Sequence, residues 1–179
     1  VRALLRLGRP VSVVRIALVG FGEVGQTLAA DLRAAGRDAP GAWDRLFADP
    51  ASPPSRAIAS QGAARAADGM APALRDASLV ISAVTAGECL AAAREAAHSI
   101  APGTYYFDLN SVAPSTKEQA AREIEAAGAR YVEAAVMSPI GPKRIASPML
   151  LGGPHAAGFA PFARELGFAG VEVFADTFG

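Results

Sequence analysis

The sequence predicts an α/β fold with a doubly wound, mostly parallel sheet, and three observations carry that reading. First, an apolar, β-branched run from Val13 to Val19 ends in Gly20-Phe21-Gly22-Glu23-Val24-Gly25, and a helical pattern starts at once. Second, strand-like and helix-like stretches alternate almost throughout the chain, the pattern of stacked βα units. Third, Leu79-Val80-Ile81-Ser82-Ala83-Val84 is a short, nearly unbroken apolar run, as expected of a buried strand.

The first strand and helix define the leading site. Val24, Leu28 and Leu32 recur every four residues and line one helix face, and Gly36 stands where a C-terminal cap belongs. A Gly-x-Gly-x-x-Gly turn between a strand and a helix fits a dinucleotide's pyrophosphate. Gly20 allows the turn, Gly22 lets the backbone approach the phosphates, and Gly25 lets helix and strand pack closely. The free N–H groups of the first helical turn, with the positive end of its dipole, then face the anion. Phe21, Glu23 and Val24 complete this cofactor-binding segment.

Residues 39–45 hold a short second strand, weakened by Pro40 and Gly41. Asp44 falls about 20 residues past the glycine turn, where an acid holds the adenosine ribose of NAD. Arg45 follows, and an arginine there takes the 2′-phosphate of NADP instead, so the cofactor is read as NADP or NAD. Asp49 to Ser55 is a proline-rich loop read as an insertion. A helix from Arg56 to Gln61 and a weak strand from Ala63 to Ala66 follow. The strand from Leu79 places Val84 and Thr85 at its carboxyl end, where open α/β sheets form their ligand crevice. Both should flank the nicotinamide.

Glu88 to Ile100 reads as a helix stopped by Pro102-Gly103. Tyr105 to Asp108 is a strand, and Asn110 and Ser111 leave its end facing the crevice. Ser115-Thr116-Lys117-Glu118 has a capping-box pattern, opening a helix that Gly128 ends. Arg130 to Val136, Met149 to Gly153 and Val171 to Phe174 are further strands, with a helix from Ala156 to Leu166 flanked by His155. Lys117 and Lys143, the two lysines, read as solvated surface charges.

Composition narrows the function classes. Across 179 residues, 17 Lys and Arg balance 17 Asp and Glu, which indicates neither a nucleic-acid nor a membrane surface. No apolar run reaches membrane-spanning length. Cys89 is the single cysteine, so neither an internal disulfide nor a cysteine metal cluster forms, and no metal site is read. That cysteine usage fits a reducing cytosol, and a cytoplasmic location is expected. Cys89 itself lies in an Ala-rich helix and reads as a small buried hydrophobe. Residues 1–14 carry no small-residue cleavage site and are read as an N-terminal extension or a misplaced start rather than a signal peptide, and residues 15–179 as the folded domain.

Taken in order, the glycine turn, the Val84-Thr85 strand end, Asp108-Leu109-Asn110-Ser111-Val112-Ala113-Pro114 and Tyr131 to Met137 resemble one family. They are similar to the N-terminal NAD(P)-binding, Rossmann-type domain of the β-hydroxyacid dehydrogenases, the superfamily of 6-phosphogluconate and 3-hydroxyisobutyrate dehydrogenases. The wording is closest to the branch whose C-terminal domain carries an unknown-function label. The resemblance covers Arg15 to Gly179. It implies hydride transfer between a nicotinamide cofactor and a small hydroxy acid, with Asn110 and Ser111 on the substrate-binding segment. The family's Ser-Gly-Gly, whose backbone holds the substrate acid, falls on Met137-Ser138-Pro139, where Pro139 lacks an N–H. The family's acid/base lysine belongs to a helix beyond the nucleotide domain, and neither lysine here matches it. The resemblance therefore implies that the catalytic half, with its helical domain and homodimer contacts, lies outside these residues. Two alternatives compete: a stand-alone dinucleotide-binding module without catalysis, and an S-adenosylmethionine methyltransferase, for which the Asn110-Ser111 segment has no role.

Overall fold

The computed structural model describes residues 14–61, 64–65 and 69–178. The N-terminal extension, Val14 apart, lies outside them. Eight strands form one sheet: β1 (Ile16–Val19), β2 (Gly41–Trp43), β3 (Ala64–Arg65), β4 (Leu79–Ser82), β5 (Tyr105–Asp108), β6 (Arg130–Val136), β7 (Met149–Gly152) and β8 (Val171–Val173). Their spatial order is β3-β2-β1-β4-β5-β6-β7-β8. Pairing is parallel from β3 through β6, antiparallel between β6 and β7, and parallel again between β7 and β8. The chain thus works outward from β1 to β3, then crosses to β4 on β1's other side. The ends of β1 and β4 make the switch point where such sheets open a crevice.

Helices α1 (Glu23–Ala34), α2 (Pro53–Gln61), α3 (Met70–Leu74), α4 (Cys89–Ala97), α5 (Pro114–Ala126), α6 (Ile140–Lys143) and α7 (Ala156–Glu165) cover both faces. Strand alternation sorts the core. On β1, Ile16 and Leu18 join Leu28 and Leu32 of α1 and Phe159 of α7 in one layer. Ala17 and Val19 join Met70 and Leu74 of α3, the alanines of α4 and Ile124 of α5 in the other. Burial on both faces is why β1 and β4 read as continuous apolar runs rather than alternating ones.

Three expectations are corrected, and one short helix is added. The Asp49–Ser55 loop is shorter than read, because α2 starts at Pro53; proline suits a first helical turn, where its missing N–H would have no partner. Pro114 likewise takes the first position of α5, with Ala113 as the cap and no side-chain capping bond. Ser115 is therefore an exposed helical residue rather than the cap of a box, and Glu118 instead sits 3.9 Å from Arg122 one turn on. Helix α3 had no expected counterpart, being five residues long with Pro72 inside it. Lys117 is buried at 5% exposure, not solvated, while Lys143 is exposed at the end of α6. Among the described residues, no helix is long and apolar enough to cross a membrane.

Candidate functional site

A cleft of about 580 Å³ opens over the carboxyl ends of β1, β2 and β4. Its lining brings together Gly20, Gly22, Glu23 and Val24 from the first turn, Asp44 and Arg45 after β2, and Val84 and Thr85 after β4. The volume lies within the range of small-molecule pockets. Segments spread over 65 positions of sequence converge there because each follows a parallel strand of the same sheet.

The glycines divide the work. Gly20 has φ +93°, and a Cβ there would lie 2.3 Å from the Ala83 carbonyl oxygen. A Cβ on Gly25 would meet the Gly20 oxygen at the same distance, so Gly25 does not line the cleft but lets α1 close against the turn. Around Gly22, by contrast, a Cβ would meet nothing within 4 Å. Gly22 caps α1 without a side-chain bond, so the first amides of that helix are turned to open space beside a bare backbone. An open helix start of this kind has room and N–H donors for a pyrophosphate.

Phe21 takes a different place from the rest of its segment. Its ring is fully buried, 6.1 Å from that of Phe47. Its N–H donates to Asp44 Oδ2 at 2.7 Å, and the Leu46 N–H donates to Asp44 Oδ1 at 2.9 Å. Asp44 thus clamps the glycine turn to the 3-10 turn Arg45–Ala48, which it also caps. Each carboxylate oxygen keeps a second lone pair for a ribose hydroxyl. Arg45 is paired with Glu88 across the cleft at 2.7 Å, both side chains being partly open to solvent.

Toward β5 the site becomes a buried polar cluster. Asp108 is fully buried; its Oδ1 accepts from Lys117 Nζ at 3.0 Å and from the Asn110 N–H at 2.8 Å. Oδ2 accepts from the Tyr131 hydroxyl at 2.5 Å and from Cys89 Sγ at 3.4 Å. Lys117 Nζ also donates to the Asp108 carbonyl oxygen at 3.2 Å. The Asn110 side chain points inward rather than into the crevice. Its Oδ1 accepts the Val84 N–H at 2.7 Å, and its Nδ2 donates to Ser82 Oγ at 3.0 Å. Ser111 is exposed, at the mouth of a smaller pocket of about 190 Å³ that Lys117 and Glu133 also line. Asn110 thus ties the ends of β4 and β5 together, and Ser111 is the member of the pair that faces outward.

Burial raises both the Tyr131 and Cys89 ionisations, and the neighbouring Asp108 charge adds to it. Tyr131 therefore stays protonated and donates. Cys89 is pushed up from 9.0 to about 11, which makes it the inert buried hydrophobe the sequence suggests. Its raised pKa stabilises the fold fully below about pH 9, and that contribution is lost as pH climbs through about 11. Urea unfolding between those limits should show stability falling by about 2–3 kcal/mol, with a shallower decline for Cys89→Ala. An equal slope in both proteins would contradict the assignment.

Comparison with known proteins agrees with this geometry. The family model for the NAD binding domain of 6-phosphogluconate dehydrogenase matches residues 15–157. No curated protein matches the chain. Among solved structures, a conserved hypothetical protein from Sinorhizobium meliloti 1021 superposes with TM-score 0.83 at 31% identity, over 92% of this chain and 55% of that one. A conserved protein of unknown function, reported as structurally similar to 3-hydroxyacid dehydrogenases, gives TM-score 0.73 at 29% identity, over 90% and 57%. The 3-hydroxyisobutyrate dehydrogenase of Mycobacterium tuberculosis, at 19% identity, shares the fold with TM-score 0.76, over 92% and 55%. The chain spans little more than half the length of these proteins. By its match over residues 15–157, the chain belongs to the family of the NAD binding domain of 6-phosphogluconate dehydrogenase.

Proposed function

We propose that this chain is the cofactor-binding half of an NAD(P)-dependent oxidoreductase of the β-hydroxyacid type. The bound nicotinamide would exchange hydride with the hydroxyl-bearing carbon of a small acid. The observation that carries the reading is the convergence of the glycine turn, Asp44-Arg45 and Val84-Thr85 on one cleft. Gly22 and the first amides of α1 hold the pyrophosphate, Asp44 or Arg45 the adenosine ribose, and Val84 and Thr85 flank the nicotinamide. Ser111 touches the substrate, while Asn110 supports the wall behind it. Neither lysine lines the cofactor cleft as a proton donor or acceptor for a substrate hydroxyl: Lys117 bonds Asp108 and Lys143 is on the surface. Such a group is worth about 10²–10⁴ in rate, so the proposal leaves it to the part of the related proteins' length that this chain does not span.

Thermal unfolding with saturating NADH and then NADPH tests the reading. At about 100 times the dissociation constant, binding adds about 2.7 kcal/mol, which at about 2–4 °C per kcal/mol is a rise in Tm of about 5–10 °C. No shift with either cofactor would overturn it. Binding by the chain in a longer protein that shows no hydride transfer with any hydroxy acid would favour a non-catalytic binding module.

The Arg45–Glu88 pair gives a second expected result. Glu88→Gln releases the guanidinium for a 2′-phosphate, and exposed pairs are worth about 0.2–1 kcal/mol. NADPH should gain about two- to fivefold in affinity over NADH in this variant, read by fluorescence titration. An unchanged ratio would remove Arg45 from the adenosine site.

A further inference from the structure

The Asp108 cluster has a feature that core polar groups do not require: one of its links ends on the wall of the cleft. Lys117 and the Asn110 N–H share a single oxygen, Asp108 Oδ1, at 3.0 and 2.8 Å. From Asn110 the chain of contacts passes through its side-chain Oδ1 to the Val84 N–H at 2.7 Å. Val84 lines the cleft. A shift of the ammonium therefore moves the oxygen that seats Asn110, and with it the residue that sets the position of the strand end. The second carboxylate oxygen is occupied by Tyr131 and Cys89, so Asp108 cannot rotate to compensate without giving up those bonds. Buried polar networks of this kind hold one arrangement only while every member is present.

We propose that Lys117 is a positioning residue for the nicotinamide end of the cleft, acting through Asp108 and Asn110 on Val84. It does not line the large cleft, and its ammonium is turned to Asp108. The inference rests on the reading that Val84 and Thr85 flank the nicotinamide, and the adenosine end, built on Asp44 and the glycine turn, has no part in the cluster. Lys117 thus governs half of the cofactor site and leaves the other half alone.

That asymmetry supplies the test. NADH, NADPH and ADP-ribose, which lacks the nicotinamide, are titrated against the 179-residue chain and its Lys117→Met and Lys117→Arg variants. Losing the order of one hydrogen-bonded wall residue is expected to weaken the better nicotinamide cofactor about tenfold in Lys117→Met. ADP-ribose should change less than about twofold, and Lys117→Arg should recover most of the loss. Should Lys117→Met fail to fold, Asn110→Ser interrupts the same link one residue nearer the cleft and must give the same split. Equal weakening of all three ligands would show loosening of the whole domain and overturn the proposal, as would unchanged cofactor binding. If the unaltered chain binds none of the three ligands, it is the cofactor reading itself that fails. If it binds ADP-ribose and NADPH equally tightly, the nicotinamide end makes no contribution, and the role given to Lys117 falls alone.

Discussion

Gly20→Ala is expected to lower the stability of the domain by about 2–5 kcal/mol, whereas Gly22→Ala should cost no more than about 1 kcal/mol. At position 20 two penalties combine. A φ of +93° is a strained region for any side chain, at about 1–2 kcal/mol. The new methyl also lies 2.3 Å from the backbone oxygen of Ala83, and relieving such overpacking costs about 1–3 kcal/mol. Backbone cannot swing aside as a side chain can, so β1 and β4 must part at their carboxyl ends. At position 22, φ is −75° and the space around an added Cβ is empty, leaving only a poorer helix cap. The second variant should therefore unfold close to the native midpoint in urea, yet bind cofactor at least tenfold more weakly, because its methyl stands where the phosphates approach. If Gly22→Ala bound NADPH normally, the anion would lie elsewhere.

Asp108→Ala should be the most damaging single change in the polar cluster, at about 3–5 kcal/mol, or a fall in Tm on the order of 10 °C. It leaves the buried ammonium of Lys117 without a countercharge and the hydroxyl of Tyr131 without an acceptor. Removing both charges together, as in Asp108→Leu with Lys117→Met, should cost less than Asp108→Ala alone, since a buried pair repays little more than its own desolvation. Glu123→Gln is the contrast: its pair with Arg94 at 2.9 Å is partly exposed, and its loss should stay under about 1 kcal/mol. Calorimetric melting of these proteins with the unaltered chain decides the point, and a double variant no more stable than Asp108→Ala would mean that the two charges are not coupled.

The glycine turn, the β1 and β4 strands and the strand-end residues of the cleft were legible because each is a local signal repeated at fixed spacing. What the sequence obscured were choices between two competing local rules. Ser115 to Glu118 satisfy the pattern of a capping box, but Pro114, with its preset φ, takes the first helical position one residue earlier. That misplacement hid Lys117. Counted along α5, positions 117, 120, 121 and 124 form one buried face, so the lysine sits on the stripe that alanines and Ile124 turn inward. Its charge argued for the surface, while its register argued for the core, and a partner at the end of β5 settled the matter. Asn110 could not be read inward, since its acceptor role depends on the Val84 N–H brought alongside by the β4–β5 pairing. Asp44 lines the cleft, but its clamp on the Phe21 amide is a contact over 23 positions that no spacing rule reveals.

The end of the described chain has a practical bearing. Phe178 lies edge-on to Tyr131 at 5.4 Å, its ring filling the space a side chain at Gly153 would need, while the Thr177 carbonyl accepts the Gly153 N–H at 2.9 Å. Residues 177 and 178 are thus sewn onto β7 and roof the tyrosine that holds Asp108. Anyone trimming this domain for expression or crystallisation should keep them. A boundary drawn after β8, which looks natural from the strand pattern, would open the polar cluster to water from above.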